Sequence, residues 1–131
     1  AHELDVVINL AAFKSGDFNY VKNEAESIVT ACNMFNKPCK LIIESGELDN
    51  EELKKMLELI IPAKPEFVKT STGFAKTGAV LAQVKLMREL LPEKIRIKAS
   101  GGIKTKSDAL NFMEAGANRI GTSSGPVIIN E

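Results

Sequence analysis

The sequence has 131 residues, enough for one domain with a hydrophobic core. Lysine plus arginine equals aspartate plus glutamate at 17 each, so no net charge is available to attract nucleic acid or an anionic membrane. The hydrophobic fraction of 44% and the charged fraction of 26% are typical of soluble globular proteins. No apolar run reaches the roughly 20 residues of a membrane span, and the first residues lack the layout of a signal peptide.

Cysteine and histidine are too few and too scattered to form a disulfide framework or a zinc site. Cys32 falls on the apolar face of a predicted helix, and Cys39 stands at the start of a predicted strand. We therefore expect both to be buried free thiols, which suits a reducing cytoplasm. With His2 as the single histidine, we expect no metal and no other cofactor.

Predicted strands alternate with predicted helices along the chain. The first strand is a near-continuous apolar run, typical of a strand buried on both faces. Asp49 and Glu52 form a capping-box pattern that predicts a helix start, and Pro92 predicts a helix end. The strands are predicted at 3–10, 39–45, 66–70, 94–100 and 118–124, and the helices from after Asp17 to about Asn36, from Asp49 through Ile60, and at about 77–91 and 105–115.

This alternation predicts right-handed βα units and a parallel sheet in one domain over 1–131. Two α/β architectures fit it: a doubly wound open sheet, which five strands complete, or part of a (β/α)8 TIM barrel, which five strands cannot close. Both place functional groups at the carboxyl ends of strands. The candidates there are Asn9, Glu44, Lys69, Lys98 and Ser123.

Lys69 and Lys98 share a context, because each comes at the end of an apolar strand segment before small residues and glycine. Adjacent parallel strands lie about 5 Å apart, so the two ammonium groups would face one pocket and the pKa of at least one should fall. A neutral lysine attacks carbonyls and forms a Schiff base. An isolated strand-end lysine more often reaches solvent or pairs with a carboxylate; two on neighbouring strands favour a reactive site.

Glycine loops follow the last two predicted strands. The segments 100–102 and 121–125 offer backbone N–H groups and hydroxyls, which suits an anion, and barrels commonly bind phosphate after their last strands. The small residues that follow Lys69 suggest the same. The alternative is that these glycines only make tight turns.

Asp5 lies inside the first predicted strand, between Leu4 and Val6, where a carboxylate is costly unless it is paired. Pointing into a barrel, it would meet a lysine and serve in proton transfer. The alternative is a carboxylate at a strand edge in solvent.

Five blocks in order resemble the deoxyribose-phosphate aldolase family. They are LDVVINLAAFKSGD (4–17), KLIIESGEL (40–48), FVKTSTGF (67–74), IKASGGIKT (97–105) and RIGTSSG (119–125). The resemblance covers essentially the whole chain, and VKTSTGF followed by KASGG is highly specific. It implies a (β/α)8 barrel without a metal requirement that joins acetaldehyde to glyceraldehyde 3-phosphate, giving 2-deoxyribose 5-phosphate.

By position, Lys69 resembles the Schiff-base lysine, and Lys98 the second lysine, which activates the first and joins Asp5 in proton transfer. The resemblance also implies a set of residues around the substrate phosphate: Thr72, Gly73, Gly101, Gly102, Ser123 and Ser124.

The family chain is longer. This sequence begins where the family's fourth strand is expected, so we expect a partial barrel that forms oligomers or associates with the missing segment. His2 stands where the family often has aspartate.

Two other functions fit the same residues. One is a related Schiff-base aldolase acting on another sugar phosphate, which the KTSTGF block disfavours. The other is a partial barrel that binds phosphate without turnover. Trapping an imine with acetaldehyde and borohydride separates the second from both aldolases.

Overall fold

A computed structural model of the chain describes residues 4–71 and 79–121. In these residues five parallel strands form one sheet in the order β1-β2-β3-β4-β5. The strands are β1 (Leu4–Val7), β2 (Cys39–Ile42), β3 (Phe67–Lys69), β4 (Arg96–Ser100) and β5 (Arg119–Gly121). The α-helices are α1 (Leu10–Lys14), α2 (Phe18–Met34), α3 (Asn50–Ile60), α4 (Leu81–Leu90) and α5 (Lys106–Ala115), with 3-10 turns at Ser45–Glu47 and Ile61–Ala63.

Sequential strand order with a helix after each of the first four strands is the arrangement of a barrel segment rather than of a doubly wound sheet. Strand order reverses in a doubly wound sheet, whereas it runs on without reversal here. The α/β partial barrel is therefore confirmed.

Apolar residues of one sheet face pack under the helices. Leu41, Val68, Ile97 and Ala99 are fully buried there. The helices contribute their own apolar stripes, among them Leu53, Met56, Leu57 and Ile60 of α3 and Val84 and Met87 of α4, each 0% exposed. This packing holds the strands in register and leaves the opposite face for other chemistry.

The opposite face, here called the site face, carries the polar residues that alternate with this core. Strand pairing sets Asp5 beside Lys40 and Lys69 beside Lys98. Residues two apart along a strand share a face. The site face therefore holds Asp5, Val7, Lys40, Ile42, Phe67, Lys69, Arg96, Lys98, Ser100, Arg119 and Gly121.

The predicted boundaries were too long at several strand ends. The first apolar run is a strand only through Val7, because Asn9 caps a short helix with its side chain accepting a hydrogen bond from the Ala12 N–H. The capping box of Asp49 and Glu52 is confirmed. Among the described residues no helix is both long and apolar enough to cross a membrane.

Candidate active site

Asp5 is paired with two lysines rather than with solvent. Its Oδ2 accepts a hydrogen bond from Lys69 Nζ at 3.1 Å, and its Oδ1 lies 3.4 Å from Lys40 Nζ. About a third of the Asp5 side chain is exposed, so the carboxylate stays open to a small molecule above the sheet. A carboxylate held between two ammonium groups and reachable from outside suits proton transfer.

Lys40 was missed by the sequence interpretation. It lies in β2 in register with Asp5, and the residue is only 5% exposed. A signal was present, since Lys40 interrupts the apolar run of a predicted buried strand, and a buried lysine requires a counter-charge. Asp5 supplies it, so Lys40 and Lys69 share one carboxylate.

Lys69 and Lys98 are register partners on β3 and β4, as neighbouring strand positions predicted. Lys69 is the last residue of β3, whereas Lys98 lies inside β4, two residues before its end. Burial lowers the pKa of Lys98, and the neighbouring Lys40 and Lys69 charges lower it further, while Asp5 opposes the shift. The expectation that at least one lysine pKa falls holds for Lys98, with Lys40 as the larger of the two cationic causes.

The pKa of the Asp5 carboxyl group is lowered as well, which for an acid favours the charged form. Burial alone would raise the pKa of Asp5, but the hydrogen bond from Lys69 and the charge of Lys40 outweigh it, so the pKa lies below its ordinary value. Asp5 is therefore a carboxylate at neutral pH and accepts protons or hydrogen bonds.

The first hydroxyls after Lys69 hold the sheet together instead of facing an anion. Thr70 Oγ1 donates to the Ser100 carbonyl at 3.1 Å and accepts from the Ser100 N–H at 3.0 Å. Ser71 Oγ also donates to the Ser100 carbonyl, and Ser100 Oγ donates to the Ser71 carbonyl at 2.8 Å. All three residues are buried. Among the small residues after Lys69, Thr70 and Ser71 therefore use their hydroxyls to join the end of β3 to β4.

The predicted phosphate-binding residues are only partly described. Gly101 and Gly102 directly follow β4 with φ of 86° and 75°, a conformation that favours glycine. They lie at the carboxyl edge of the strand that carries Lys98. Thr72, Gly73, Ser123 and Ser124 lie outside the described residues.

The described part of the chain holds no group of three or more histidine, cysteine, aspartate or glutamate side chains arranged to bind a metal ion. On the site face, the amines of Lys40, Lys69 and Lys98 lie around the Asp5 carboxylate. Such a set can attack a carbonyl and move protons beside it.

Comparison with known proteins gives close relatives over nearly the whole chain. Curated relatives named deoxyribose-phosphate aldolase are 41–48% identical, and the chain spans 53–60% of their length. The relative from Caldicellulosiruptor saccharolyticus is 47% identical over 132 aligned residues, which cover 100% of this chain and 60% of that protein. No protein-family model matches the chain.

Solved structures agree with the sequence relatives. A protein described as "QR15, an Aldolase" is 44% identical and superposes with a TM-score of 0.91, over 99% of this chain and 58% of its own. A tetrameric deoxyribose phosphate aldolase from Aeropyrum pernix is 32% identical with a TM-score of 0.88, over 99% and 54% of the two chains.

Proposed function

Because the chain belongs to the deoxyribose-phosphate aldolase family, we propose that Asp5, Lys69 and Lys98 form the reaction centre of a class I aldolase. The observation that carries the proposal is the register pairing of Lys69 with Lys98, with the Asp5 carboxylate bonded to Lys69 at 3.1 Å. The chain spans little more than half the length of these relatives, so the activity is inferred from this centre.

Lys69 is the proposed nucleophile. After the Lys69 ammonium gives up a proton, its amine attacks the carbonyl carbon of acetaldehyde, and protonation and loss of water from the resulting carbinolamine give a protonated imine. Removal of a methyl proton turns the protonated imine into a neutral enamine, whose carbon attacks the carbonyl carbon of D-glyceraldehyde 3-phosphate while the aldehyde oxygen takes up a proton. Hydrolysis of the new imine releases 2-deoxy-D-ribose 5-phosphate and returns the amine.

Asp5 and Lys98 are the proposed proton carriers. Asp5 already touches the amine that reacts, and it is a carboxylate at neutral pH. The lowered pKa of Lys98 increases the fraction of its amine that is neutral at a given pH. A neutral amine can accept a proton during the addition steps.

The substrate phosphate is proposed to bind at the loop after β4. Gly101 and Gly102 make that turn in a conformation that favours glycine. Because glycine has no side chain, neither residue covers its own backbone N–H group. The family resemblance adds Thr72, Gly73, Ser123 and Ser124. Holding the phosphate would place the aldehyde end of the substrate over the lysines, so that remote binding energy serves the reaction.

The proposed setting is the cytoplasm, since Cys32 and Cys39 are buried free thiols. We also propose that the chain works in an assembly, either with further copies or with the rest of a barrel. A relative from Aeropyrum pernix is described as tetrameric.

The test is reductive trapping of the 131-residue chain with acetaldehyde and borohydride, followed by peptide mass spectrometry. The expected adduct lies on Lys69. Lys94→Met removes an exposed lysine just before β4 and should leave the adduct yield unchanged, whereas Lys69→Met should abolish it. Labelling of Lys40 or Lys98 with Lys69 untouched would contradict the assignment of the nucleophile.

The same trapping reaction distinguishes both aldolase functions, on deoxyribose phosphate or on another sugar phosphate, from a partial barrel that binds phosphate without turnover. A chain that binds 2-deoxyribose 5-phosphate but yields no adduct with either this sugar or acetaldehyde is a binding module. A panel of other sugar phosphates in the trapping reaction then decides the substrate class.

A further inference from the structure

Gly121, the last residue of β5, lies beneath the side chain of Lys98. A methyl group built on Gly121 would come within 2.9 Å of Lys98 Cε, 3.0 Å of Ser100 Cβ and 3.7 Å of Lys98 Nζ. Gly121 is the register partner of Ser100, and both share the site face with Lys98. The Lys98 stem therefore runs along the sheet across the space where a side chain at 121 would be.

The backbone does not require glycine at this position. The described glycines with positive φ are Gly16, Gly101, Gly102 and Gly116, and Gly121 is not among them. Its φ is therefore one that other L residues adopt. A side chain at 121 is limited by the atoms above it and not by the backbone.

Of the two neighbours, Lys98 is the one that can move. Ser100 is fixed by its hydrogen bonds to Thr70 and Ser71, which directly follow β3. The end of a lysine side chain is flexible, and a contact of 2.9 Å is shorter than any stable carbon–carbon contact. A methyl group at 121 would thus displace the end of the Lys98 side chain, and its 3.0 Å contact with Ser100 Cβ would require only a small further shift between β4 and β5.

We propose that Gly121 is a positioning residue: because it has no side chain, the Lys98 side chain can extend along the sheet surface beside Lys40 and Lys69. This deepens the proposed function, because it explains how the second lysine of that site is held. Gly121 itself is assigned no contact with the reacting atoms.

The test is a titration of Lys98 by carbon NMR of labelled lysine Cε, with the signal assigned by its loss in Lys98→Arg. In Gly121→Ala the amine should be lifted away from the sheet and from Lys40. The pKa of Lys98 should then rise by about half a unit or more, towards its ordinary value. A pKa that stays or falls would overturn the proposal.

Gly16→Ala is the matched control. Gly16 lies in the turn between α1 and α2 with φ of 84° and open space around a built methyl, so alanine there strains the backbone without touching Lys98. The Lys98 pKa should not change in this variant. An equal rise in both variants would show a general loosening of the fold and would overturn the positioning role.

A double variant keeps the test decisive if Gly121→Ala folds poorly. Lys98→Ala removes the stem that the new methyl meets, so Gly121→Ala should lower the melting temperature less in the Lys98→Ala background than in the parent chain. Equal losses in both backgrounds would count against the proposal. Neither measurement needs imine formation, so a chain that fails to trap acetaldehyde but shows the pKa shift would refute the aldolase function alone.

Discussion

Asp5 and Lys69 are hydrogen-bonded across a strand that lies between them. Asp5 is on β1 and Lys69 on β3, and β2 separates the two strands in the sheet. Lys40 of the intervening strand contacts the same carboxylate. One carboxylate thus links three neighbouring strands.

Lys40→Met should raise the pKa of Lys98. Burial is the first cause of the lowered Lys98 pKa, and the charge of Lys40 is the next, so removing that charge removes repulsion against the charged form of Lys98. Carbon NMR of labelled lysines measures the shift. Lys85→Met on the exposed side of α4 is the control and should leave the Lys98 titration unchanged. An unchanged Lys98 in Lys40→Met would show that Lys40 does not act on it.

Asp5→Asn should destabilise the chain at neutral pH by about 1–2 kcal/mol, because two ammonium groups lose their counter-charge. The pKa of Asp5 is lowered in the folded state from 3.8. Its contribution is therefore fully present above pH 3.8 and is lost as the pH falls through the lower folded value. The difference in unfolding free energy between the parent and Asp5→Asn should shrink below about pH 4.

Glu66→Gln is the matched control for that denaturation series. Glu66 pairs with Arg96 at 3.0 Å, but both side chains are about half exposed, so this pair should contribute less. A loss for Glu66→Gln as large as for Asp5→Asn would mean that burial of the Asp5 cluster adds nothing to its strength.

Gly102→Leu should reduce trapping of 2-deoxyribose 5-phosphate far more than trapping of unphosphorylated deoxyribose. A built methyl on Gly102 meets nothing within 4 Å, so the new side chain would occupy open space where the phosphate is proposed to bind. Gly16→Leu imposes a similar φ strain away from the lysines and should affect both sugars alike. Equal losses of both sugars in Gly102→Leu would show that the loop is only structural.

Strand pattern and motif spacing predicted the parallel sheet and the neighbouring positions of Lys69 and Lys98. The pattern did not predict that β1 ends at Val7, because an apolar run does not distinguish a strand from a short helix and the Asn9 cap decided between them. It also missed Lys40, since its role depends on strand register with Asp5, which only pairing across the sheet reveals. The hydrogen bonds of Thr70 and Ser71 were not predicted for the same reason, because their partner, Ser100, is distant in sequence.

The thiols of Cys32 and Cys39 should be unreactive in the folded chain. Both are buried, and burial together with the neighbouring Cys32 thiol raises the pKa of Cys39 to about 12. The reactive form is the thiolate, so an aromatic disulfide reagent at pH 8 should label both cysteines only as the chain unfolds. Rapid labelling without denaturant would show that α2 opens readily from β2.

The chain should associate in solution through the β1 side of its sheet. β1 and β5 are the edge strands of the described sheet, and Val7 on the site face is 45% exposed. An open edge beside apolar surface favours pairing with another chain. Sedimentation equilibrium should therefore show dimers or larger species at micromolar concentration, and Val7→Lys should weaken them. Met34→Lys is the control, since Met34 is 77% exposed at the end of α2 and is not part of any strand. A parent chain that stays monomeric would contradict the prediction, and weakening by Met34→Lys instead would move the contact to the helical side of the sheet.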